Sequence, residues 1–459
     1  MIQRGWICRE GILRQLNASS IRSISRRSIS TSPAPKEEPT ASPATSSATS
    51  LKRIIADSIK ATGPIPVARY MSACTYHPTE GYYSRKDKDP ISKHGDFITS
   101  PEISQIFGEL IAVWFLHQWH ALRHDLSHTS NNPPKKVRFV ELGPGNGTLM
   151  ADVLRTWQSF PTAWENLESV QLVETSPALR DTQKAALEGF GKGLKFHDRV
   201  QHIDKDESTF TFVLAHEFFD ALPVHLFQKT DAGFREVLVD LINPRIRSEE
   251  SEQEVTNENN KWLDGDAGFK YIVSKQQSAM SSLIPMVAPH IFSGEGKEEE
   301  GQRVELGIES YHIGNSIGQL LRKTSENAAG GCALFVDYGK DGWTGDTLRG
   351  FKNHQQVDVL SAPGECDITS DVDFGVLREA LAHNDTDTIG SEVITQRDFL
   401  VKMGVAARLD TLLNSAQSNE TKLSIASSAK RLLDVRGMGS QYKFMAAFNT
   451  SHHNRYPFI

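Results

Sequence analysis

Three glycines at alternate positions, Gly143, Gly145 and Gly147, follow a short apolar run and precede apolar residues at helical spacing. This order predicts a strand, a tight glycine turn and the start of a helix. Because glycine has no Cβ, a ligand can approach the backbone of such a turn closely. The first N–H groups of the following helix lack partners within the helix and attract polar or anionic groups. The segment therefore predicts a binding site for a nucleoside-like ligand.

The spacing of these glycines distinguishes between two kinds of nucleoside ligand. The dinucleotide fingerprint G-x-G-x-x-G places its third glycine one position later than Gly147, and Thr148 stands at that position here. Glu141, followed by Leu142 and G-x-G-x-G, resembles the first motif of class I S-adenosylmethionine-dependent methyltransferases. In that family the turn faces the methionine part of the cofactor. An NAD-dependent oxidoreductase is the alternative that the glycines leave open.

Acidic residues stand at the ends of two later apolar runs. Glu174 follows the run 170–173, about one crossover helix after the glycines. Ligands of doubly wound sheets bind at the carboxyl ends of the strands, where an acid accepts hydrogen bonds from ribose hydroxyls. Glu217 and Asp220 follow the run 210–215 and are predicted to face the same edge, where they would act on a reacting group. The alternative for these acids is that they cap the segments that follow.

The polar segment that contains Asp96 leads into a strongly apolar helical pattern. It is predicted to fold over the cofactor as a lid, with Asp96 at the cofactor and with Thr99, Ser100 and Glu102 pointing inward. The alternative is a helix cap alone, because Ser100 is a good N-cap and Pro101 suits the first helical position.

Apolar runs at strand length alternate with helical patterns through most of the chain. The predicted strands are 137–142, 170–173, 195–197, 210–215, 234–240, 270–273 and 332–337. Such alternation predicts an α/β fold with a doubly wound, Rossmann-like sheet of the class I methyltransferase type. Asp337 and Tyr338, at the end of the last run, are predicted to line the same cleft.

The chain divides into three predicted parts. Residues 1–50 are interpreted as a mitochondrial transit peptide and a disordered linker, because the start is rich in Arg and Ser and Glu10 is its only acid before position 36. Residues 51–130 are predicted to form an N-terminal helical and lid region. Residues 131–459 are predicted to form the S-adenosylmethionine-binding domain, with exposed acidic insertions near 245–305.

The composition of the 459 residues excludes several classes of protein. A net charge of −7 argues against a general nucleic-acid binder. No apolar run approaches the roughly 18 residues that would span a membrane. The four cysteines form no C-x-x-C pair and the histidines no H-E-x-x-H motif, so no metal site is predicted and a reducing compartment fits.

Several blocks of the sequence resemble, in the same order, the MidA-type family of methyltransferases. The blocks are 95–109, 140–148, 217–224, 336–339, 345–350 and 367–374, and the resemblance covers roughly residues 51 to 448. The family's mitochondrial members are complex I assembly factors that act as protein arginine methyltransferases. The resemblance implies symmetric dimethylation of an arginine on a core subunit of respiratory complex I in the matrix. It also implies cofactor contacts at Gly143, Gly145 and Glu174, with Glu141 nearby.

Two departures bear on the catalytic residues. The family commonly has Asn where His216 stands here, and the paired glutamates of ordinary arginine methyltransferases have no equivalent in this sequence. A guanidinium is cationic at neutral pH, so its proton must leave during or after methyl transfer, and a carboxylate can hold it by bidentate hydrogen bonds. We therefore expect Glu217 to contact the target guanidinium, with Asp220 in support. A non-catalytic assembly chaperone that binds the cofactor for stability is the other alternative, and the oligomeric state is not predicted.

Overall fold

The computed structural model describes residues 50–84, 99–129, 136–242, 268–292, 299–325, 328–342, 345–383, 387–449 and 454–458. The predicted transit peptide, Asp96 and the acidic stretch 249–260 lie outside these described residues. The helices are α1 Ser50–Thr62, α2 Val67–Tyr76, α3 Ser100–Ile103, α4 Gln105–Thr129, α5 Thr148–Gln158, α6 Pro161–Asn166, α7 Pro177–Leu187, α8 Ile284–Val287, α9 Ile308–Leu321, α10 Phe374–Ala382, α11 Gln396–Lys402, α12 Val405–Ser415, α13 Asn419–Leu433 and α14 Met438–Gln441. None of the described helices is both long and apolar enough to cross a bilayer.

The strands form three sheets. They are β1 Ile65–Pro66, β2 Lys136–Leu142, β3 Leu167–Val173, β4 Gly193–His197, β5 Thr209–His216, β6 His225–Thr230, β7 Gly233–Leu241, β8 Phe269–Val273, β9 Arg303–Leu306, β10 Gly331–Lys340, β11 Arg349–Lys352, β12 Gln355–Val357, β13 Asp367–Thr369, β14 Val372–Asp373, β15 Thr388–Gly390, β16 Ile394–Thr395 and β17 Tyr442–Asn449.

The central sheet has the strand order β15-β17-β10-β5-β2-β3-β4. From β10 to β4 neighbouring strands are parallel, whereas β17 is antiparallel to β10. The carboxyl ends of β2, β3, β5 and β10 therefore meet at one edge. The predicted doubly wound α/β fold of the class I methyltransferase type is confirmed.

Helices cover both faces of this sheet because its central strands are apolar on both faces. Phe212 of β5 packs into a cluster with α4 and α5, while its neighbour Val213 packs on the other face with α9 and α10. Successive strand residues point to opposite faces, so a strand buried on both sides is a continuous apolar run. Phe115 of α4 and Trp157 of α5 meet the Phe212 ring edge-on, at centroid distances of 4.9 and 5.8 Å.

A second, antiparallel sheet contains two of the predicted strands, and their assignment to the doubly wound sheet is wrong. Its order is β1-β7-β6-β9, with β8 paired to β7. The connection between β6 and β7 is residues 231–232, which is too short for the crossover that a parallel pair needs. α1 and α2 pack against this sheet, and β11 to β13 form a separate three-stranded sheet.

The predicted insertion near 245–305 includes core as well as surface. β8 and β9 supply buried residues to the second sheet, whereas Glu299 and Glu300 are exposed. The domain boundaries stay predictions. The predicted cap of the lid helix is wrong, because Thr99 is the N-cap of α3 and the Ser100 hydroxyl donates to the Gln396 side chain at 3.3 Å.

Candidate active site

The carboxyl edge of the central sheet borders a cavity of about 780 Å³, a volume typical of small-ligand sites. One wall is built by the glycine turn after β2 and by the ends of β5 and β10, and another by β11 to β13. Of the predicted site residues, Glu141, Gly143, Gly145, Glu217 and Asp220 line this cavity. Five residues that were predicted separately from the sequence therefore lie at the same cavity.

The glycine turn requires glycine because its backbone is left-handed. Gly143, Gly145 and Gly147 have φ angles of +59°, +53° and +79°. Side chains rarely adopt this region, and glycine enters it without a steric cost. At Gly143 an added Cβ would also lie 2.8 Å from the Phe218 ring. Gly147 is the N-cap of α5 and is not among the described residues that line the cavity.

Glu141 presents an unsatisfied carboxylate oxygen at the cavity. The residue is buried, and within the described part of the chain its Oε2 atom has no hydrogen-bond partner. Burial raises the pKa of this carboxyl to about 8. Native proteins leave few buried polar atoms unpaired, so such an atom at a cavity wall fits a ligand that supplies a donor.

Glu174 directly follows β3 and is not among the described residues that line the cavity. Its carboxylate accepts hydrogen bonds from the Ser176 backbone N–H at 2.7 Å and from the Gln183 side-chain amide at 3.2 Å. The same Gln183 amide donates to the Gly145 carbonyl at 2.7 Å, which ties Glu174 to the glycine turn. The predicted ribose contact of Glu174 stays a prediction.

A strained turn at the end of β5 positions Glu217. Its φ is +49°, in the left-handed region that is costly for a residue with a side chain. The Glu217 N–H donates to the Val336 carbonyl at 2.9 Å. Asp337 Oδ2 accepts the N–H groups of Phe218 and Phe219 at 3.2 and 2.9 Å. Asp337 was predicted to line the cleft, but it is buried and stabilises this turn instead.

The Glu217 carboxylate is largely buried beside two tyrosines and a histidine. The Tyr442 hydroxyl donates to Glu217 Oε1 at 2.7 Å, and the Tyr338 hydroxyl lies 2.5 Å from that of Tyr442. Burial raises the pKa of Glu217 to about 8. His216 Nε2 lies 3.5 Å from Glu217 Oε1 and has no hydrogen-bond partner among the described residues. Burial lowers the pKa of His216 to about 3, so the ring is neutral.

Asp220 adds a further carboxyl to the cavity wall, near a cation from the three-stranded sheet. Burial raises the pKa of Asp220 to about 6, and the Arg349 guanidinium opposes this shift. Arg349 is itself bound to Asp371, with Nη1 to Oδ1 at 2.7 Å. The cavity therefore holds carboxyl groups and a guanidinium close together.

Part of the predicted lid lies where it was expected. Thr99 and Glu102 line the cavity, and Glu102 accepts a hydrogen bond from the Thr148 hydroxyl at 2.7 Å. This bond joins α3 to the first residue of α5. Asp96 lies outside the described residues.

The sequence pattern did not identify two residues that interact with the carboxyls of the site. Tyr442 begins β17, far along the chain from Glu217, and no local motif marks it. Arg349 falls within the block 345–350 that carried part of the family resemblance, which was its only signal.

A doubly wound sheet with this glycine turn and these edge carboxyls has the architecture of a class I methyltransferase. A family model described as "Putative S-adenosyl-L-methionine-dependent methyltransferase" matches residues 110–391. The chain belongs to this family of S-adenosylmethionine-dependent methyltransferases. The family match favours methyl transfer over the NAD-dependent oxidoreductase alternative.

The names of similar proteins are more specific than the description of the family model. The chain is 36% identical over 422 residues to "Protein arginine methyltransferase NDUFAF7, mitochondrial" of Danio rerio, which covers 88% of this chain and 87% of the relative. The Homo sapiens protein of that name is 33% identical over 425 residues, covering 88% and 84%. These names agree with the mitochondrial localisation predicted from the N-terminal composition.

A solved structure supports the fold. A Burkholderia thailandensis protein whose crystal structure contains S-adenosyl-homocysteine matches with a TM-score of 0.63 at 23% identity, over 86% of this chain and 91% of that chain. The cofactor of this chain is S-adenosylmethionine. The left-handed glycine turn and the unpartnered Glu141 oxygen fit a ligand that carries an amino group and must approach the backbone closely.

Proposed function

We propose that this methyltransferase modifies an arginine of a protein, forming symmetric dimethylarginine on a core subunit of respiratory complex I in the mitochondrial matrix. Its relatives are named mitochondrial protein arginine methyltransferases. The observation that carries the proposal is the buried Glu217 carboxylate, held at the end of β5 on the same cavity wall as the glycine turn. The symmetric product, the complex I target and the matrix location are carried over from the activity that the family resemblance implies.

The cofactor site in this proposal consists of the glycine turn and its neighbouring acids. Gly143 and Gly145 allow the ligand to reach the backbone, and Glu141 Oε2 accepts a hydrogen bond from its amino group. Glu174 accepts hydrogen bonds from the ribose hydroxyls. Gly147 shapes the start of α5, and the predicted contact of Asp96 with the cofactor lies outside the described residues.

Glu217 is the proposed catalytic residue. S-adenosylmethionine supplies a methyl group on a sulfonium carbon. The Glu217 carboxylate accepts hydrogen bonds from the target guanidinium and directs one of its nitrogens toward that carbon. As the new C–N bond forms, the methyl–sulfur bond breaks and S-adenosylhomocysteine is the leaving group. The nitrogen loses a proton, which Glu217 accepts. Asp220 supports the cation with a second negative charge.

The charges around Glu217 favour a cationic ligand in the cavity. Desolvation disfavours the ionised form of Glu217, and Asp220 and Asp367 add like charge nearby. A guanidinium placed there would stabilise the ionised form, because opposite charges lower the pKa of a carboxyl. A neutral side chain would leave that cost uncompensated.

Mass spectrometry of mitochondrial proteins, with and without this chain, tests the proposal. We expect one peptide of a complex I core subunit to lose symmetric dimethylarginine when the chain is absent and to regain it on re-expression. Unchanged dimethylarginine on every complex I subunit would contradict the target, and asymmetric product would contradict the symmetry. N-terminal sequencing of the mature protein tests import, with cleavage expected between about residues 27 and 50.

A further inference from the structure

Two phenol rings and an imidazole ring lie beside the Glu217 carboxylate. The Tyr442 ring lies parallel to the His216 ring, with an interplanar angle of 6° and centroids 6.2 Å apart. The Tyr338 ring is tilted by 39° against the Tyr442 ring, with centroids 4.2 Å apart. Tyr442 is buried, so these neighbours leave its ring little freedom to rotate.

The hydroxyl groups have a defined direction. Each phenol has a single proton to donate. Because Tyr442 donates its proton to Glu217 Oε1 at 2.7 Å, the 2.5 Å contact with Tyr338 requires Tyr338 to donate to Tyr442. The chain of donors therefore ends on the carboxylate, and Tyr338, which lines the cavity, is its outer end.

Other groups face the same carboxylate from every neighbouring element. From its own segment these are His216 and Asp220, from β10 they are Asp337 and Tyr338, and from β13 the group is Asp367. The Ser100 backbone N–H of the lid also donates to Glu217. Among these neighbours, Tyr442 is the residue whose side chain donates directly to Glu217.

We propose that Tyr442, itself held by Tyr338, is a positioning residue that fixes the Glu217 carboxylate for proton removal from the target arginine. The inference rests on the proposed function. A donor to a carboxylate stabilises its ionised form, and ionised Glu217 is the form that accepts a proton. Removing the Tyr442 hydroxyl should therefore move the ionisation of Glu217 to higher pH and release the carboxylate from its orientation.

Tyr442→Phe tests this inference through a pH profile. The initial rate of labelled methyl transfer would be measured at saturating S-adenosylmethionine and limiting protein extract from mitochondria that lack this chain. We expect the midpoint of the profile to rise by about one pH unit, the scale of one hydrogen bond to a charged group. Tyr338→Phe should give a smaller rise. Tyr70→Phe is the matched control, because its buried hydroxyl donates to the Val359 carbonyl in another part of the fold.

A double variant separates positioning from a general loss of structure. If Tyr442 acts through Glu217, Tyr442→Phe should lower the rate of the wild-type protein but cause no further loss in a Glu217→Gln background. An unshifted midpoint, or an equal loss in both backgrounds, would overturn the inference.

Infrared titration of the Glu217 carboxyl band keeps this inference distinct from the proposed function. The band is identified by its absence in Glu217→Gln, and its midpoint should rise in Tyr442→Phe. If Glu217→Gln keeps the normal methylation rate, the proposed role of Glu217 fails, while the titration still decides whether Tyr442 holds the carboxylate. A band midpoint that is identical in Tyr442→Phe and the wild type would overturn the inference itself.

Discussion

Glu174 and Glu217 end two parallel strands of the same sheet, yet their surroundings differ. Both carboxyls have pKa values raised by burial. Around Glu174, backbone and Gln183 donors and the Arg180 cation oppose the shift. Around Glu217, the carboxylates of Asp220 and Asp367 add to the shift, and the Tyr442 hydroxyl and the Ser100 backbone N–H oppose it. The same residue type at equivalent strand ends therefore meets opposite electrostatic environments.

This difference in surroundings suits Glu174 to cofactor binding and Glu217 to proton transfer. A carboxyl that lies beside a cation and fixed donors is suited to hold hydroxyl groups in a constant geometry. A carboxylate whose charge is disfavoured gains most from a cationic partner and has a pKa near the working pH, which suits proton transfer. The comparison predicts that changes near Glu174 alter cofactor affinity, whereas changes at Glu217 alter turnover.

The largest expected effect is at the glycine turn, which forms the proposed cofactor site together with Glu174. Gly143→Val should abolish cofactor binding, because a branched side chain disfavours a φ of +59° and its Cβ would lie 2.8 Å from Phe218. Calorimetric titration with S-adenosylmethionine checks this, after the melting temperature has shown that the variant is folded. Gly189→Val is the control, because its Cβ would meet open space. A folded Gly143→Val protein with normal affinity would show that the turn is only structural.

A smaller effect is expected at Glu174. Glu174→Ala should weaken S-adenosylmethionine binding about tenfold or more, since each lost hydrogen bond to a charged group is worth about 1.5–3 kcal/mol at most. Glu168→Ala is the matched control, because Glu168 lies at the opposite end of β3 and pairs with Lys136 on the surface. Equal affinities of Glu174→Ala and the wild type would remove the ribose assignment.

The mildest test changes only the pH. Glu217 has a pKa raised to about 8 in the free protein, so its ionised fraction increases as the pH rises through that value. A base must be ionised to accept a proton, so kcat/KM should increase with pH up to about 8 and level off above it. The profile would be measured at saturating S-adenosylmethionine, because Glu141 at the proposed cofactor site also has a pKa raised to about 8. A kcat/KM that falls over the same interval would mean that the protonated group is the active one.

The sequence was sufficient for the parallel strands of the central sheet because each of them carries a local signal. The apolar runs before Gly143, Glu174 and Glu217 are buried on both faces, and such runs are readable without tertiary information. In a parallel sheet the carboxyl ends of the strands meet at one edge. The sequence therefore predicted that three separate acids and one glycine turn lie at the same edge.

Other features were not predicted because no local pattern specifies them. β6 connects to β7 by a short hairpin. The predicted strand 234–240 therefore pairs in the second sheet and not in the central sheet. Tyr442 reaches Glu217 only because β17 inserts antiparallel beside β10, a pairing that depends on long-range packing. Asp337 looked like a cavity residue, but the left-handed turn at Glu217 presents N–H groups that its carboxylate accepts.

The most direct test of the account is a side-by-side measurement of binding and turnover on Glu217→Gln. The amide keeps the size of the side chain and removes its charge. We predict S-adenosylmethionine affinity within about twofold of the wild type and arginine methylation lowered by about 10²-fold or more, the scale of a general-base contribution. Normal methylation by this variant, with normal affinity, would contradict the assignment of Glu217 as the catalytic carboxylate.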